Sequence, residues 1–378
     1  FFNVSGGPYG IEDTVSSFGP GMALLLLLLT PLVWSLPVAL FAAELGSALP
    51  DEGGYVHWVR RAFGPFWGFQ VGWWSWIGSF VDIAVYPVLF ADYLRFWIGD
   101  TGPLLRWTIA MAFIWSLTYL NIRGVRIVGS GAVLLGIAAI APVALMTLIG
   151  AARVQAPPWL PFAAESDGSI EALGLGLAVM MWNYSGWDNP STCLGETRAP
   201  ERNYRRALWW SLPLISLAYV VPVGIGLGAA GEWKQWTSGY LPAVGAAIGG
   251  PWLAGWLTLG ALLSAAGQFL SVLLTNSRLP FVLAWWGQLP RAVAALHPRY
   301  GTPWVAIVLS SGIYSLLVFF SFKELIVLDV WLYSLALLVE LAAFVALRVR
   351  EPGLPRPWSV PGGLPGAIVV ATLPGGCA

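Results

Sequence analysis

The sequence predicts an all-α, multi-pass membrane protein built as two inverted repeats of five spans, with broken helices at spans 1 and 6. Three observations carry that expectation. Of 378 residues, 57% are hydrophobic and 10% charged, and the mean hydropathy is +0.72, outside the composition of an ordinary soluble domain. Runs of 18 or more mostly apolar residues, each long enough to cross a bilayer, recur along the chain. Two of these runs contain Gly and Pro punctuation that a simple membrane helix does not need.

Residues 1–17 read as an apolar, Gly-rich first span interrupted by SGGPYG at 5–10, with Glu12 and Asp13 at its far end. Further spans are expected at about 22–46, 66–97, 104–121 and 127–150. After an external loop at 151–169 the series resumes at about 170–195, 207–228, 251–277, 303–321 and 325–347. The sixth span is interrupted by NYSGWDNP at 183–190. Such breaks free backbone N–H and C=O groups, which at membrane depth are tolerated only where they line a protein cavity. The breaks lie five spans apart, and an odd offset reverses topology. Residues 1–150 (spans 1–5) and 170–347 (spans 6–10) are therefore expected as inverted repeats that meet at their discontinuous helices, followed by a link and partial span 11 over 348–378. Residues 48–64 read as a loop with a short amphipathic helix, and 195–206 as a charged link. Gly64, Gly68 and Gly72 recur at i+4 where the third span begins, a small-residue face suited to close helix packing.

Basic residues are sided. Of the 19, 14 fall in the loops at 60–61, 123–126, 198–206, 278–299 and 348–356, and the other five (Arg95, Arg106, Arg153, Lys234, Lys323) in the alternate loops. By the positive-inside rule the first set is cytoplasmic. With net charge zero, no surface concentrates enough basic charge to recognise nucleic acid. Cys193 and Cys377 form no CxxC pair, and His57 and His297 sit in loops without metal-ligand spacing, so no disulfide scaffold, metal or cofactor is expected. Gly174 and Gly176 lie in an apolar span with no strand before them and read as helix packing rather than a nucleotide loop.

The chemical signal is buried acid without buried base. Asp82, Asp188 and Glu340 fall deep inside apolar stretches, Asp92 and Asp329 nearer an end, and no Lys, Arg or His joins them there. A charge at bilayer depth costs roughly 2.5–3.5 kcal/mol on insertion scales, so it is expected to face a cavity, a partner or a transported ion. On the third span Ser75, Ser79, Asp82, Tyr86 and Tyr93 share one helical face, with Asp82 roughly 24 Å from the inner end. On the tenth span Asp329, Tyr333 and Glu340 share another. Burial favours the neutral form of a carboxyl, which suits Glu340 to gain and lose a proton. Asp188 follows the sixth-span break directly. Trp182 and Trp187 flank that break, beside Asn183 and Tyr184, and aromatic faces attract ammonium groups. A structural Asp or Glu bonded to neighbouring hydroxyls is the plain alternative at each acid.

Several segments resemble the amino acid-polyamine-organocation permeases: the break at Ser5, Gly6 and Gly7, AELGSALPDEGGYVHWV at 43–59, GPFWGFQVGWW at 64–74 and GETRAP at 195–200. DIAVYPVLFADY at 82–93, Trp187-Asp188 and LYSLALLVE at 332–340 are most similar to the polyamine uptake transporters of plants and protozoa. The resemblance implies a LeuT-type 5+5 fold of twelve spans, about eleven of them visible here, working by alternating access as a proton-coupled symporter. It also implies that Trp182 is an aromatic gate and that Glu44 pairs structurally with a loop Arg. Two departures stand out. The eighth span lacks the carboxylate expected in a polyamine carrier, and the fifth lacks the membrane lysine of some amino acid permeases.

The expected function is secondary transport of a cationic small molecule, a polyamine first, at the cell membrane. Its contacts are expected from Ser5, Gly6, Gly7, Asp82, Tyr86, Trp182, Asn183, Tyr184, Trp187, Asp188 and Tyr333, with Glu340 coupling protons. An α-amino acid is the alternative substrate, its carboxylate held by the Gly6 and Gly7 amides and its amine by Asp188. Sodium is the alternative coupling ion, through Ser264, Ser271 and Thr275. No Ser/His or HExxH arrangement supports an enzyme, and no carbonyl-filter loop supports a channel.

Overall fold

Lipid cannot satisfy backbone polar groups, so each apolar run must close its hydrogen bonds internally, and the runs are helices. The computed structural model describes residues 1–100, 102–164, 170–320 and 322–375, which contain no strand. Residues 165–169 of the expected external loop, and Cys377, lie outside the described residues. In order the helices are α1 (Glu12–Phe18), α2 (Pro20–Thr30), α3 (Leu36–Ala48), α4 (Tyr55–Phe63), α5 (Pro65–Ile98), α6 (Pro103–Ile122), α7 (Val125–Ala151) and α8 (Ile170–Asn183). They continue as α9 (Pro200–Ala230), α10 (Leu241–Gly249), α11 (Pro251–Asn276), α12 (Arg278–Trp285), α13 (Trp304–Leu317), α14 (Phe322–Arg350) and α15 (Gly363–Gly375). Among the described residues six helical segments are long and apolar enough to cross a membrane: Pro20–Ala48, Pro65–Ile98, Val125–Ala151, Pro200–Ala230, Pro251–Trp285 and Leu328–Arg350. The apolar window of Pro251–Trp285 is 78% buried and that of Val125–Ala151 only 22%. The segment containing α11 is thus central, and α7 turns most of its surface outward.

Both expected breaks are non-helical. Residues 1–11 run irregularly into α1, and after α8 the chain is extended or bent until a 3₁₀ segment at Asn189–Glu196. Gly186 in the second break has φ 90°, and a Cβ there would lie 2.2 Å from the Asn3 carbonyl oxygen, so only glycine lets the two breaks touch. A π turn at Pro31–Ser35 joins α2 to α3. Pro31 has no N–H, which leaves the Leu27 carbonyl without its helical donor. The Tyr184 hydroxyl donates to that carbonyl at 2.9 Å, tying the π turn to the α8 break.

The amphipathic helix expected within 48–64 is α4, with Tyr55, Val56, Trp58 and Val59 buried. The charged link at 195–206 is shorter than expected. Pro200 occupies the first helical position, where its fixed φ and missing N–H suit a helix start, so Glu201–Arg206 belong to α9. Gly68 and Gly72 do serve close packing, since an added Cβ would lie 2.6 Å from Arg60 Cβ and 3.1 Å from Leu283. Gly64 does not join that face; it precedes α5 with φ 91°.

Candidate functional site

The two breaks meet at a polar cavity walled by α5, α8, α11 and α14. It is tight, about 50 Å³, room for a few water molecules. From α5 come Ser75, Ser79, Asp82 and Tyr86, at the spacings of one helical face. From the α8 break come Trp182, Asn183, Ser185, Gly186 and Asp188; from the first break, Asn3 and Val4; from α11, Gln268 and Asn276. Finally α14 supplies Asp329 and Tyr333, one turn apart. Three carboxylates therefore line one cavity, and no Lys, Arg or His is among its described lining residues.

Each acid is held differently. The Tyr333 hydroxyl donates to Asp188 Oδ1 at 2.5 Å and accepts the Gly186 N–H at 3.3 Å. Asp82 Oδ1 accepts from Trp182 Nε1 at 3.0 Å and from the Tyr86 hydroxyl at 3.2 Å. Asp329 is 7% exposed and has no hydrogen-bond or ion-pair partner among the described residues. Glu340 lies outside the lining, two turns beyond Tyr333, or roughly 10 Å along α14. It is 2% exposed, its Oε2 has no hydrogen-bond partner among the described residues, and it is near enough to feel the Asp188 charge.

The carbonyls freed by the breaks are largely taken by side chains. The Tyr219 hydroxyl donates to Asn183 O at 2.9 Å, Ser35 Oγ and Trp187 Nε1 to Tyr184 O at 3.2 and 2.8 Å, and the Tyr204 hydroxyl to Trp187 O at 3.0 Å. In the first break Ser264 Oγ donates to Gly6 O at 2.8 Å, and Ser5 Oγ accepts the Gly7 N–H at 3.0 Å. Carboxylates, more than loose carbonyls, are thus what the cavity offers a cation.

Of the residues expected at the site, Asp82, Tyr86, Trp182, Asn183, Asp188 and Tyr333 line the cavity together. Ser5, Gly6 and Gly7 do not; their place is taken by Asn3 and Val4. Tyr184 and Trp187 also lie behind the wall, where they brace the break. Tyr93 leaves the α5 stripe to donate to Glu12 at 2.5 Å. Asp92 differs from the expectation of unpaired acid: Arg106, in the first turn of α6, reaches back across the turn to within 2.9 Å of it. Glu44 behaves as the resemblance implies, pairing with Arg348 and, at 3.1 Å, with Arg356. Of the hydroxyls considered for sodium, Ser264 donates to Gly6 O in the first break at 2.8 Å and Thr275 to Asn3 Oδ1 at 3.0 Å. Asn3, Gln268, Asn276 and Asp329 were not expected at the site. Only Asp329 had a visible signal, its four-residue spacing from Tyr333.

The chain matches the family model for amino acid permeases over residues 1–374. It is 39% identical over 376 residues to the polyamine transporter RMV1 of Arabidopsis thaliana, covering 99% of this chain and 76% of that protein. Identity to the polyamine transporter PUT1 of Oryza sativa subsp. japonica is 38% over 378 residues, covering 99% and 70%. The branched-chain amino acid permease BcaP of Bacillus subtilis is more distant, at 23% over 360 residues, covering 89% and 76%.

Proposed function

The chain belongs to the amino acid permease family and is an integral multi-pass membrane transporter, and on that premise we propose that its cargo is a small organic cation of the polyamine class. The observation that carries this reading is the cavity lined by Asp82, Asp188 and Asp329 with no basic residue among its described lining. Desolvated carboxylates are costly unless a cation or a proton joins them. Relatives with names that specify polyamine transport, alike over nearly the whole chain, support the same substrate.

In this reading Asp188 takes one ammonium group, Trp182 closes over it, and Glu340 carries the coupling proton. The α8 break and the first-span break act as paired discontinuous helices of a 5+5 inverted repeat, residues 1–150 against 170–347, rocking about the cavity at the cell membrane. No bond of the cargo is made or broken. The α-amino-acid alternative is less well supported, because the Gly7 N–H that would hold a carboxylate is turned to Ser5 Oγ.

Competition for uptake in proteoliposomes tests the proposal. Unlabelled putrescine and spermidine are expected to block uptake of labelled putrescine, and leucine is expected to leave it unchanged. If leucine competed better than either amine, the polyamine reading would fall and the amino-acid reading would replace it.

A further inference from the structure

We propose that Asp82 and Asp329 together form a second ammonium subsite, distinct from that of Asp188, that selects cargo carrying at least two positive charges. The proposal rests on the amine reading above and specifies which amines that cavity takes.

Helix packing brings the pair together. Gly78, one turn before Asp82 on α5, faces α14: a Cβ at Gly78 would lie in ordinary contact, 3.4 Å from Leu332 Cβ and 4.0 Å from Asp329 Oδ1. Asp329 therefore faces α5 beside Asp82, where it feels the Asp82 charge, and its own charge is felt by Tyr86. Both protein donors to Asp82, Trp182 Nε1 and the Tyr86 hydroxyl, fall on Oδ1. Its second oxygen has no hydrogen bond among the described residues, and Asp329 has none on either oxygen. Asp329 is nonetheless 93% buried and aimed into the cavity.

Two facing carboxylates without a shared cation repel each other, and burial removes the water that would screen them. An ammonium group answers both needs, since it carries one positive charge and three N–H donors. Asp188 belongs to a separate group of side chains: it is held by Tyr333, one turn of α14 from Asp329, and its charge is felt by Tyr55 and Glu340, whereas that of Asp329 is felt by Tyr86. A cation with one charge pairs with one group and leaves the other unpaired. A diamine or longer polyamine pairs with both, and this explains how a chain without an acid on α11 can still hold two ammonium groups.

The test compares putrescine with butylamine, which has the same four-carbon chain and one amine fewer, as inhibitors of labelled putrescine uptake by the reconstituted protein. Putrescine is expected to bind at least about tenfold more tightly, the scale of one charge-assisted hydrogen bond. In Asp329→Asn and in Asp82→Asn that ratio is expected to fall toward one, and Asp329→Glu is expected to restore part of it. If butylamine matched putrescine in the unaltered protein, the second subsite would be refuted whether or not any variant folds. A ratio unchanged in well-folded Asp329→Asn would also overturn it. Absence of competition by any amine would instead sink the amine reading on which it rests.

Discussion

Two buried glutamates are held in opposite ways. Both oxygens of Glu44 are engaged, by Arg348, by Arg356 and by the Val360 N–H at 2.7 Å. Glu340 is as deeply buried but has an oxygen with no donor among the described residues and lies within the field of Asp188. Its charged form is compensated by nothing among the described residues, and the role proposed for it is that of proton carrier. Glu340→Gln is therefore expected to fold and to bind amine, while uptake driven by a pH gradient is lost and amine-for-amine exchange survives. Transport assays with and without an imposed gradient separate these outcomes. Full gradient-driven uptake in the variant would make Glu340 a packing residue and move the proton to the Asp82 and Asp329 pair.

Where elements meet, the loop between α3 and α4 docks on the start of α12 through an uneven set of charges. Arg278 at the head of α12 is 1% exposed and donates to Glu196 at 2.9 Å, and Glu52 of the loop approaches the same guanidinium at 3.9 Å. One base thus serves two acids, with the Cys193 thiol nearby. Burial first, and the neighbouring Glu196 second, push the Glu52 carboxyl up to about 8 from 4.5. Because the folded value is the higher one, the docked loop holds a proton that the unfolded chain releases. Its stability is greatest below pH 4.5, declines as pH rises and is lost by about 8. Thermal unfolding in detergent from about pH 5 to about pH 9 is expected to show this decline in the unaltered protein and a flatter profile in Glu52→Gln. Parallel profiles for the two proteins would refute the assignment.

Across the whole molecule, the two sets of charged contacts lie at opposite ends of the long helices. The pairs Arg61–Glu351, Arg278–Glu196 and Arg348–Glu44 gather at one end. At the other are Asp92–Arg106, the Ser238 N–H on Asp13, and Arg153 on the Ile248 carbonyl. By the basic excess of the first end we expect it to face the cytoplasm. Single cysteines test this: Arg202→Cys is expected to react with an impermeant maleimide only from the cytoplasmic side, and Ser238→Cys only from outside. The reverse pattern would invert the protein and require the repeats to be redrawn.

Helix positions, the two breaks, α4 and the identity of most cavity acids were legible in the sequence, because in lipid each span must satisfy its own backbone and so writes its signal locally. Two things were not legible: which helix faces meet, and which freed groups find donors. The Trp182 bond to Asp82 spans 100 positions and the Tyr333 bond to Asp188 spans 145. Tyr204 and Tyr219 of α9 and Ser35 of the π turn reach the carbonyls at the α8 break from two other segments. Asp329 reads as an acid near a helix end until the packing of α14 on α5 at Gly78 sets it in the cavity with Asp82. Hydropathy fixes where a helix runs, whereas its rotation and neighbours follow from side-chain packing between residues far apart in the chain, and that packing alone decided which acids share the cavity.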